Sequence, residues 1–273
     1  MRLELKNVSH VYSPDTDFEV VALRGVSLHV EEGEVFGIVG GTGSGKSTLV
    51  QHMNLLLAPT QGEVLVDGVD AATMKKSELR RRVGLVFQFP EQGLFAPTVE
   101  EDVGFAPRQL GLGEDAAGRR VYETLELLGI VHLADRTPHA LSGGEKRRVA
   151  IAGVLAMRPE VLVMDEPTAA LDPATRGDLL EVVRSLVSEG RSVVLVSHDL
   201  DEVAEIADRV CLMEQGEILA LGPPEEVFYA NPEVAPATVQ VGARLRDARP
   251  EFGTPVRYVD TLNALKTLLG QES

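Results

Sequence analysis

Nine consecutive residues, Gly40-Gly41-Thr42-Gly43-Ser44-Gly45-Lys46-Ser47-Thr48, follow the apolar run Val35–Val39 and precede the helical Leu49-Val50-Gln51. They satisfy G-x-x-x-x-G-K-[ST] in the strand–loop–helix context that gives this pattern its meaning. Glycines let the backbone curl until successive N–H groups point at phosphate oxygens, and a helix N-terminus adds partial positive charge. Lys46 then brings a full charge to the β- and γ-phosphates of a nucleotide, and Ser47 an oxygen to Mg²⁺. A second cluster closes the apolar run Val161–Met164, which ends in Asp165-Glu166. Carboxylates at the C-terminal end of a strand face the crevice where open α/β sheets take ligands. Asp165 is suited to orienting Mg²⁺ through water, and Glu166 to polarising an attacking water. His198 follows the run Val193–Val196 onto the same edge, and Gln88 follows Val83–Phe87 within reach of the metal or its water.

A further motif, Leu141-Ser142-Gly143-Gly144-Glu145, opens an apolar helix. Ser142 with Glu145 three residues on forms a capping box. Gly143 and Gly144 are poor helix formers, at a cost of about 1 kcal/mol each relative to alanine. In return they leave a bare helix N-terminus that a backbone or an anion can approach closely. The chain's one cradle already holds its own nucleotide's phosphates, so this helix end is expected to meet a nucleotide held by another copy. Thr98-Val99-Glu100-Glu101 reads as a plain capping box, and Lys75-Lys76 with Arg80-Arg81-Arg82 as a solvated helix face.

The elements that must position these residues are legible as well. The four runs are short, β-branched and apolar on both faces, like strands covered by helices on both sides. Helical stripes such as Leu179, Leu180, Val183, Leu186 and Val187 lie between them, and such alternation predicts a mostly parallel sheet in an α/β layer fold. Arg2 to Val30 reads as antiparallel strands around a turn at Ser13-Pro14-Asp15. From about Pro90 to Pro159 the strand signal is absent; Val121, Thr124, Leu125 and Leu128 share a helical face, which predicts an inserted helical subdomain. After Gly222 comes a tail rich in Pro, Glu and Ala, ending in an amphipathic piece near Val259–Leu269, read as a docking or dimerisation appendage.

Composition excludes several functions. The 273 residues carry 26 Lys+Arg against 42 Asp+Glu, a net charge of −16, and a field of that sign repels duplex nucleic acid and anionic lipid. Binding of a polyphosphate must be local, because charges beyond a Debye length of about 8 Å are largely screened. The single cysteine, Cys211, allows no internal disulfide and no Cys-rich zinc site. No run of 18 apolar residues and no signal-peptide core occur, so a cytoplasmic location is expected.

Together these residues resemble the ATP-binding subunits of ABC transporters, from about Arg2 to Phe228 and with the motifs in the family's order. GGTGSGKST resembles Walker A, Gln88 the Q-loop glutamine, LSGGE the signature and VLVMDE Walker B with Glu166 as catalytic base. Asp172 is similar to the D-loop aspartate, His198 to the switch histidine and Tyr12 to the aromatic residue that stacks on adenine. The implied fold is an α/β P-loop NTPase of ABC type: a mixed-sheet core, an antiparallel N-terminal subdomain, an inserted helical subdomain (about 90–159) and a small appendage (223–273) after a nucleotide-binding domain (1–222). ATP and Mg²⁺ are the implied ligands.

A narrower resemblance, to the energy-coupling factor (ECF) transporter ATPases, rests on Phe87–Phe95, on Lys146–Met157 and on the tail. It implies a head-to-tail pair of ATPases, identical or paralogous, under a transmembrane coupling protein and a small substrate-binding membrane protein. The implied place is the cytoplasmic face of the membrane, and the cargo a vitamin or a transition-metal ion. In that arrangement the groove near Phe89–Phe95 takes a helix of the membrane partner, and Glu91 with Glu100-Glu101-Asp102 could pair with an arginine on it. Three positions depart from the family pattern: Glu145 where Gln is usual, Gly93 for a commoner Gln, and Ala169-Ala170 before Leu171-Asp172. Another ABC importer class, a non-transport ABC ATPase and an idle regulatory subunit stay open as alternatives.

Overall fold

The computed structural model describes residues 1–169 and 171–269. Strands β1 (Leu3–Tyr12) and β2 (Val20–Val30) pair antiparallel around a turn where Ser13 and Asp15 take φ of 48° and 60°. β3 (Val35–Gly40) runs into the glycine loop and α1 (Lys46–Met53). β4 (Gln61–Val66) and the short β5 (Val69–Asp70) complete a four-stranded antiparallel sheet in the order β2-β1-β4-β5. β4 crosses β1 so closely that a Cβ on Gly62 (φ 85°) would sit 2.3 Å from the Asn7 carbonyl oxygen.

The chain continues through α2 (Lys76–Arg82), β6 (Val83–Val86), α3 (Val99–Gln109), α4 (Glu114–Leu127) and α5 (Gly143–Leu155). There follow β7 (Val161–Asp165), α6 (Pro173–Ser188), β8 (Ser192–Val196), α7 (Leu200–Ile206), β9 (Arg209–Glu214) and β10 (Glu217–Gly222). The second sheet has the order β10-β9-β3-β8-β7-β6, parallel except for β10. Register places Ile38, Val196 and Asp165 side by side on β3, β8 and β7. The loops carrying Lys46, His198 and Glu166 therefore leave the sheet at one edge.

Alternation along these strands explains their unbroken apolar runs. Val35, Val39, Leu162, Met164, Val193 and Leu195 enter a core shared with the helices, including Val103, Val121, Val149 and Val183. Phe36, Ile38, Val161, Val163, Val194 and Val196 point the other way, onto α1 and the antiparallel sheet through Leu49, Leu3, Leu5 and Leu28. With both faces covered, each such side chain contributes about 1.5–3 kcal/mol by leaving water. Cys211 lies fully buried in β9, its thiol pushed up to about 12 by burial.

One expectation needs amending. Lys75, Lys76, Arg80 and Arg81 are exposed, but Arg82 is not a solvated charge. Its Nε and Nη2 donate to Glu160 at 2.7 and 3.0 Å, and Nη2 also reaches Asp67 at 2.6 Å. The turn from α2 into β6 swings it off the helix face toward the start of β7, and its charge holds both carboxyls below their ordinary range. The segment after Gly222 joins the main core. Val227 and Phe228 of α8 (Pro224–Ala230), Ala235, and Val239 of α9 (Ala237–Ala248) pack into the same cluster as β3 and β7. α10 (Tyr258–Leu268) packs on α9 and leaves Tyr258 and Val259 exposed.

Candidate functional site

The loop after β3 is shaped by backbone demands that only glycine meets. At Gly40 (φ 149°) a Cβ would fall 2.3 Å from the Met213 carbonyl oxygen and 2.8 Å from Ser44 Oγ. α1 then starts at Lys46 with Gly45, at φ 100°, as its N-cap and no side-chain cap. Its first N–H groups are therefore left to a ligand. Lys46 Nζ donates to the carbonyls of Gly40 and Gly41 at 2.8 and 2.9 Å. Burial lowers its pKa, opposed by the charges of Glu166 and Asp165. Neutral acceptors of its own loop are the kind of partner a phosphate oxygen displaces, so these residues fit a nucleotide's phosphates.

They also fit Mg²⁺. The Ser47 hydroxyl lies beside the Asp165 carboxylate and opposes the rise in its pKa that burial causes. That pair offers two hard oxygen donors. Among the described residues no cluster of three or more His, Cys, Asp or Glu could hold a metal. Gln88, on the same cavity, together with water and phosphate, could supply the further ligands of a cation here.

Beyond Asp165, Glu166 turns into the left-handed region (φ 54°), a conformation costly for a residue with a Cβ and concentrated at functional sites. His198 Nδ1 lies 2.5 Å from Glu166 Oε2. A carboxylate only accepts, so Nδ1 carries the hydrogen and Nε2 faces outward. A cavity of about 450 Å³ is lined by Gly40, Gly41, Thr42, Lys46, Gln88, Glu166 and His198. Phosphate cradle, carboxylate and histidine thus converge on one space.

Other expected residues lie apart from it. Tyr12 reaches the cradle only through its hydroxyl, 3.2 Å from Thr48 Oγ1. Asp172 caps α6, accepting from Ala174 and Thr175 N–H and from the Thr175 hydroxyl, which lowers its pKa. Ser142 and Glu145 form the expected capping box on α5. A Cβ on Gly143 would touch nothing within 4 Å, and one on Gly144 only Leu171 Cδ2 at 3.7 Å. Nothing among the described residues requires those glycines. Ala170, among the departures from the family pattern, lies outside the described residues. Glu91 does not face outward unpaired: its Oε2 lies 3.8 Å from Nε of the chain's own Arg147. Asp102 is spent as well, accepting from the Phe95 and Ala96 N–H groups.

Several supporting groups escape sequence patterns. Glu202, buried on α7, accepts from the hydroxyls of Thr168 and Ser197 at 2.8 and 2.7 Å. It thereby ties the loop after Glu166 to the residue before His198, and burial raises its pKa. A carboxylate beside Val203 and four residues before Ile206, on an apolar face, is the only sequence signal for it. Beneath Tyr12, His52 Nδ1 lies 2.7 Å from the Thr48 carbonyl and its Nε2 3.1 Å from His10 Nδ1. Glu233 and Val234, from the segment after α8, complete the cavity wall.

Comparison with known proteins agrees with this geometry. The sequence pattern of the family described as ABC transporter matches residues 23–169. The energy-coupling factor transporter ATP-binding protein EcfA2 of Symbiobacterium thermophilum is 50% identical over 256 residues, covering 90% of this chain and 89% of the relative. EcfA of Methanothermobacter thermautotrophicus is 42% identical, covering 99% and 88%. Among solved structures, cbiO1 from Clostridium perfringens, part of the ABC transporter complex cbiONQ, superposes with a TM-score of 0.76 at 37% identity, covering 91% of this chain and 95% of that one. A dimeric ATP-binding cassette bound to ADP and Pi gives 0.73 at 31% identity, covering 81% and 98%.

Proposed function

The chain belongs to the ABC transporter family, among the energy-coupling factor transporter ATP-binding proteins, and we propose that it powers import of a vitamin or a transition-metal ion by closing and reopening as a pair of ATPases. It is an ATP hydrolase coupled to transport. The reading of its machinery rests on one observation: the cradle lysine, Gln88 and the Glu166–His198 contact line one cavity at a single sheet edge.

In this reading Tyr12 stacks on the adenine, and the N–H groups of Gly41 to Thr48 with Lys46 Nζ hold the phosphates. Ser47, Asp165 and Gln88 would hold Mg²⁺, which would supply neutralisation of phosphate charge. Glu166 accepts the proton of the water that attacks the γ-phosphorus, while the phosphorus–oxygen bond to ADP breaks and Pi leaves. His198 holds Glu166 through Nδ1–H, and contact with the γ-phosphate through Nε2 requires a hydrogen on that nitrogen as well. Ser142, Gly143, Gly144 and Glu145 serve the nucleotide of the second subunit, which explains glycines that nothing among the described residues requires. Asp172 links the two sites across that head-to-tail interface.

The nucleotide-binding domain then covers residues 1–222 with its helical part at about 90–159, and residues 223–273 form the appendage. No described helix is long and apolar enough to cross a membrane; attachment runs through protein, at the cytoplasmic face. The surface that supports this is aromatic: Phe87, Phe89, Phe95 and Phe105 are all exposed, Phe95 and Phe105 edge to face at 5.0 Å. It suits a helix of a transmembrane coupling protein that in turn carries a small substrate-binding membrane protein.

Purification of the chain from its native membranes in mild detergent, with mass identification of its companions, tests the assembly. A multi-span coupling protein with a small membrane protein is the expected result, and a second ATPase among them would decide between an identical and a paralogous pair. Recovery with a soluble solute-capture protein and two large permeases would instead assign it to another importer class, and recovery with nucleic acid would overturn the transport role.

A further inference from the structure

The basic run Lys146-Arg147-Arg148 has no part in the chemistry above, yet Arg147 is the most deeply buried cation in it. It stands one turn into α5, just past the signature glycines. Nη2 donates to the Gln88 carbonyl at 2.5 Å, and Nη1 donates to the carbonyl of Ala169. Nε faces Glu91 Oε2 at 3.8 Å, and neither of those two buried atoms has a hydrogen-bond partner among the described residues.

One guanidinium therefore connects two loops to the helix whose N-terminus serves the second subunit. The first, between β6 and α3, carries both Gln88 and Glu91 and with them the exposed Phe89 and Phe95; the second lies between Glu166 and Asp172. The planar fork makes such a three-way tie possible, since its donors point in fixed, divergent directions. The remaining gap is informative. A normal N–H···O bond spans about 2.9–3.0 Å, so a shift of under about 1 Å would join Nε to Glu91 and satisfy two buried charged groups together.

We propose that Arg147 is a positioning residue for hydrolysis, and that Glu91 is the lever through which an occupant of the aromatic groove acts on it. Seating a helix against Phe89 and Phe95 presses Glu91 onto Nε. The guanidinium, held against its counter-charge, then fixes the backbone at Gln88 and Ala169 relative to α5. The part played by the groove rests on the transporter reading; the tie between Arg147 and Glu91 does not.

The test uses the full chain, free and within its membrane complex, as wild type, Arg147→Met, Arg147→Lys, Glu91→Gln and the double variant Glu91→Gln/Arg147→Met. Arg147→Met should leave the KM for ATP within about twofold and lower kcat about tenfold or more, because the phosphate cradle is untouched. Arg147→Lys should recover part of kcat, since an ammonium can satisfy one carbonyl but not both. Glu91→Gln should abolish the stimulation of hydrolysis by the membrane partner, and should add nothing to Arg147→Met, the non-additivity expected of coupled residues. Wild-type kcat in Arg147→Met, or a Glu91→Gln effect that persists undiminished in the double variant, would overturn the proposal. Should Arg147→Met fail to fold, the same cycle run with Arg147→Lys decides it. A wild-type chain that hydrolyses ATP without any stimulation by a membrane protein would remove the transporter reading of the groove, leaving the Arg147 kcat result to stand or fall by itself.

Discussion

His198 Nδ1 and Glu166 Oε2, on the loops that follow two adjacent parallel strands, meet at 2.5 Å. The carboxylate is buried while the imidazole is mostly exposed, with 71% of its side chain open to solvent. Glu166 is thus fixed from its own strand by a left-handed backbone and from the next by a histidine. The Glu202 hydroxyl network below, joining Thr168 to Ser197, holds the two loops in register.

Glu166→Gln keeps the shape of the side chain but removes its capacity to accept a proton. Hydrolysis should fall by about 10²–10⁴-fold, the usual contribution of a positioned general base. ATP binding should persist, and an ATP-bound dimer should accumulate, visible as a doubled mass by light scattering. Retained turnover would remove Glu166 from the role of base.

Lys46→Ala removes the one full positive charge of the cradle. Hydrogen bonds to charged groups are worth about 1.5–3 kcal/mol, so ATP affinity should drop by roughly one to two orders of magnitude. Titration with a fluorescent ATP analogue measures it; an unchanged Kd would mean the phosphates lie elsewhere.

Gly143→Ala separates stability from activity. The added methyl meets nothing in the chain, and a helical alanine is favoured over glycine by up to about 1 kcal/mol, less in the first turn. The isolated protein should therefore melt at the same temperature or slightly higher, while ATP-driven pairing and hydrolysis fall. A variant that melts lower and keeps its activity would show that the glycine serves the chain's own fold.

The His10–His52 pair sets a pH dependence with a definite sign. His52 Nδ1 donates to a carbonyl, so its Nε2 must accept from His10 Nδ1, and a proton added to His52 would oppose two N–H groups. Burial first, then the neighbouring His10, lower its pKa below 6.5. The unfolded chain then binds more protons just below that value, so stability falls as pH drops through 6.5 and levels off below the folded pKa. Urea midpoints at about pH 7.5 and about pH 5.5 should differ less in His52→Asn than in wild type. Equal differences would exclude this pair as the source.

Phosphate chemistry demands contiguous residues, which is why Gly40–Thr48 and Asp165-Glu166 are legible in the sequence. The parallel strands are legible because burial on both faces leaves unbroken apolar runs. Glu202, His10 with His52, and Arg147 are not legible as functional, since each acquires its partner only when distant segments pack. Glu91 shows the same limit from the other side: an acidic residue beside exposed phenylalanines suggests an outside partner until Arg147 is seen beneath it. The packing of Val227 and Phe228 is hidden for a compositional reason, two core residues within a stretch dominated by Pro, Glu and Ala.

Cys211, the chain's only cysteine, is sealed in β9 with a thiol that stays protonated well above neutral pH. Thiolate is the reactive form, so the unaltered protein is already silent toward maleimides. A cysteine placed at exposed Phe89 or at Gly143 would be the sole dye acceptor. Two labelled copies could then report their separation by energy transfer as nucleotide binds and is spent, with no prior substitution to clear the background.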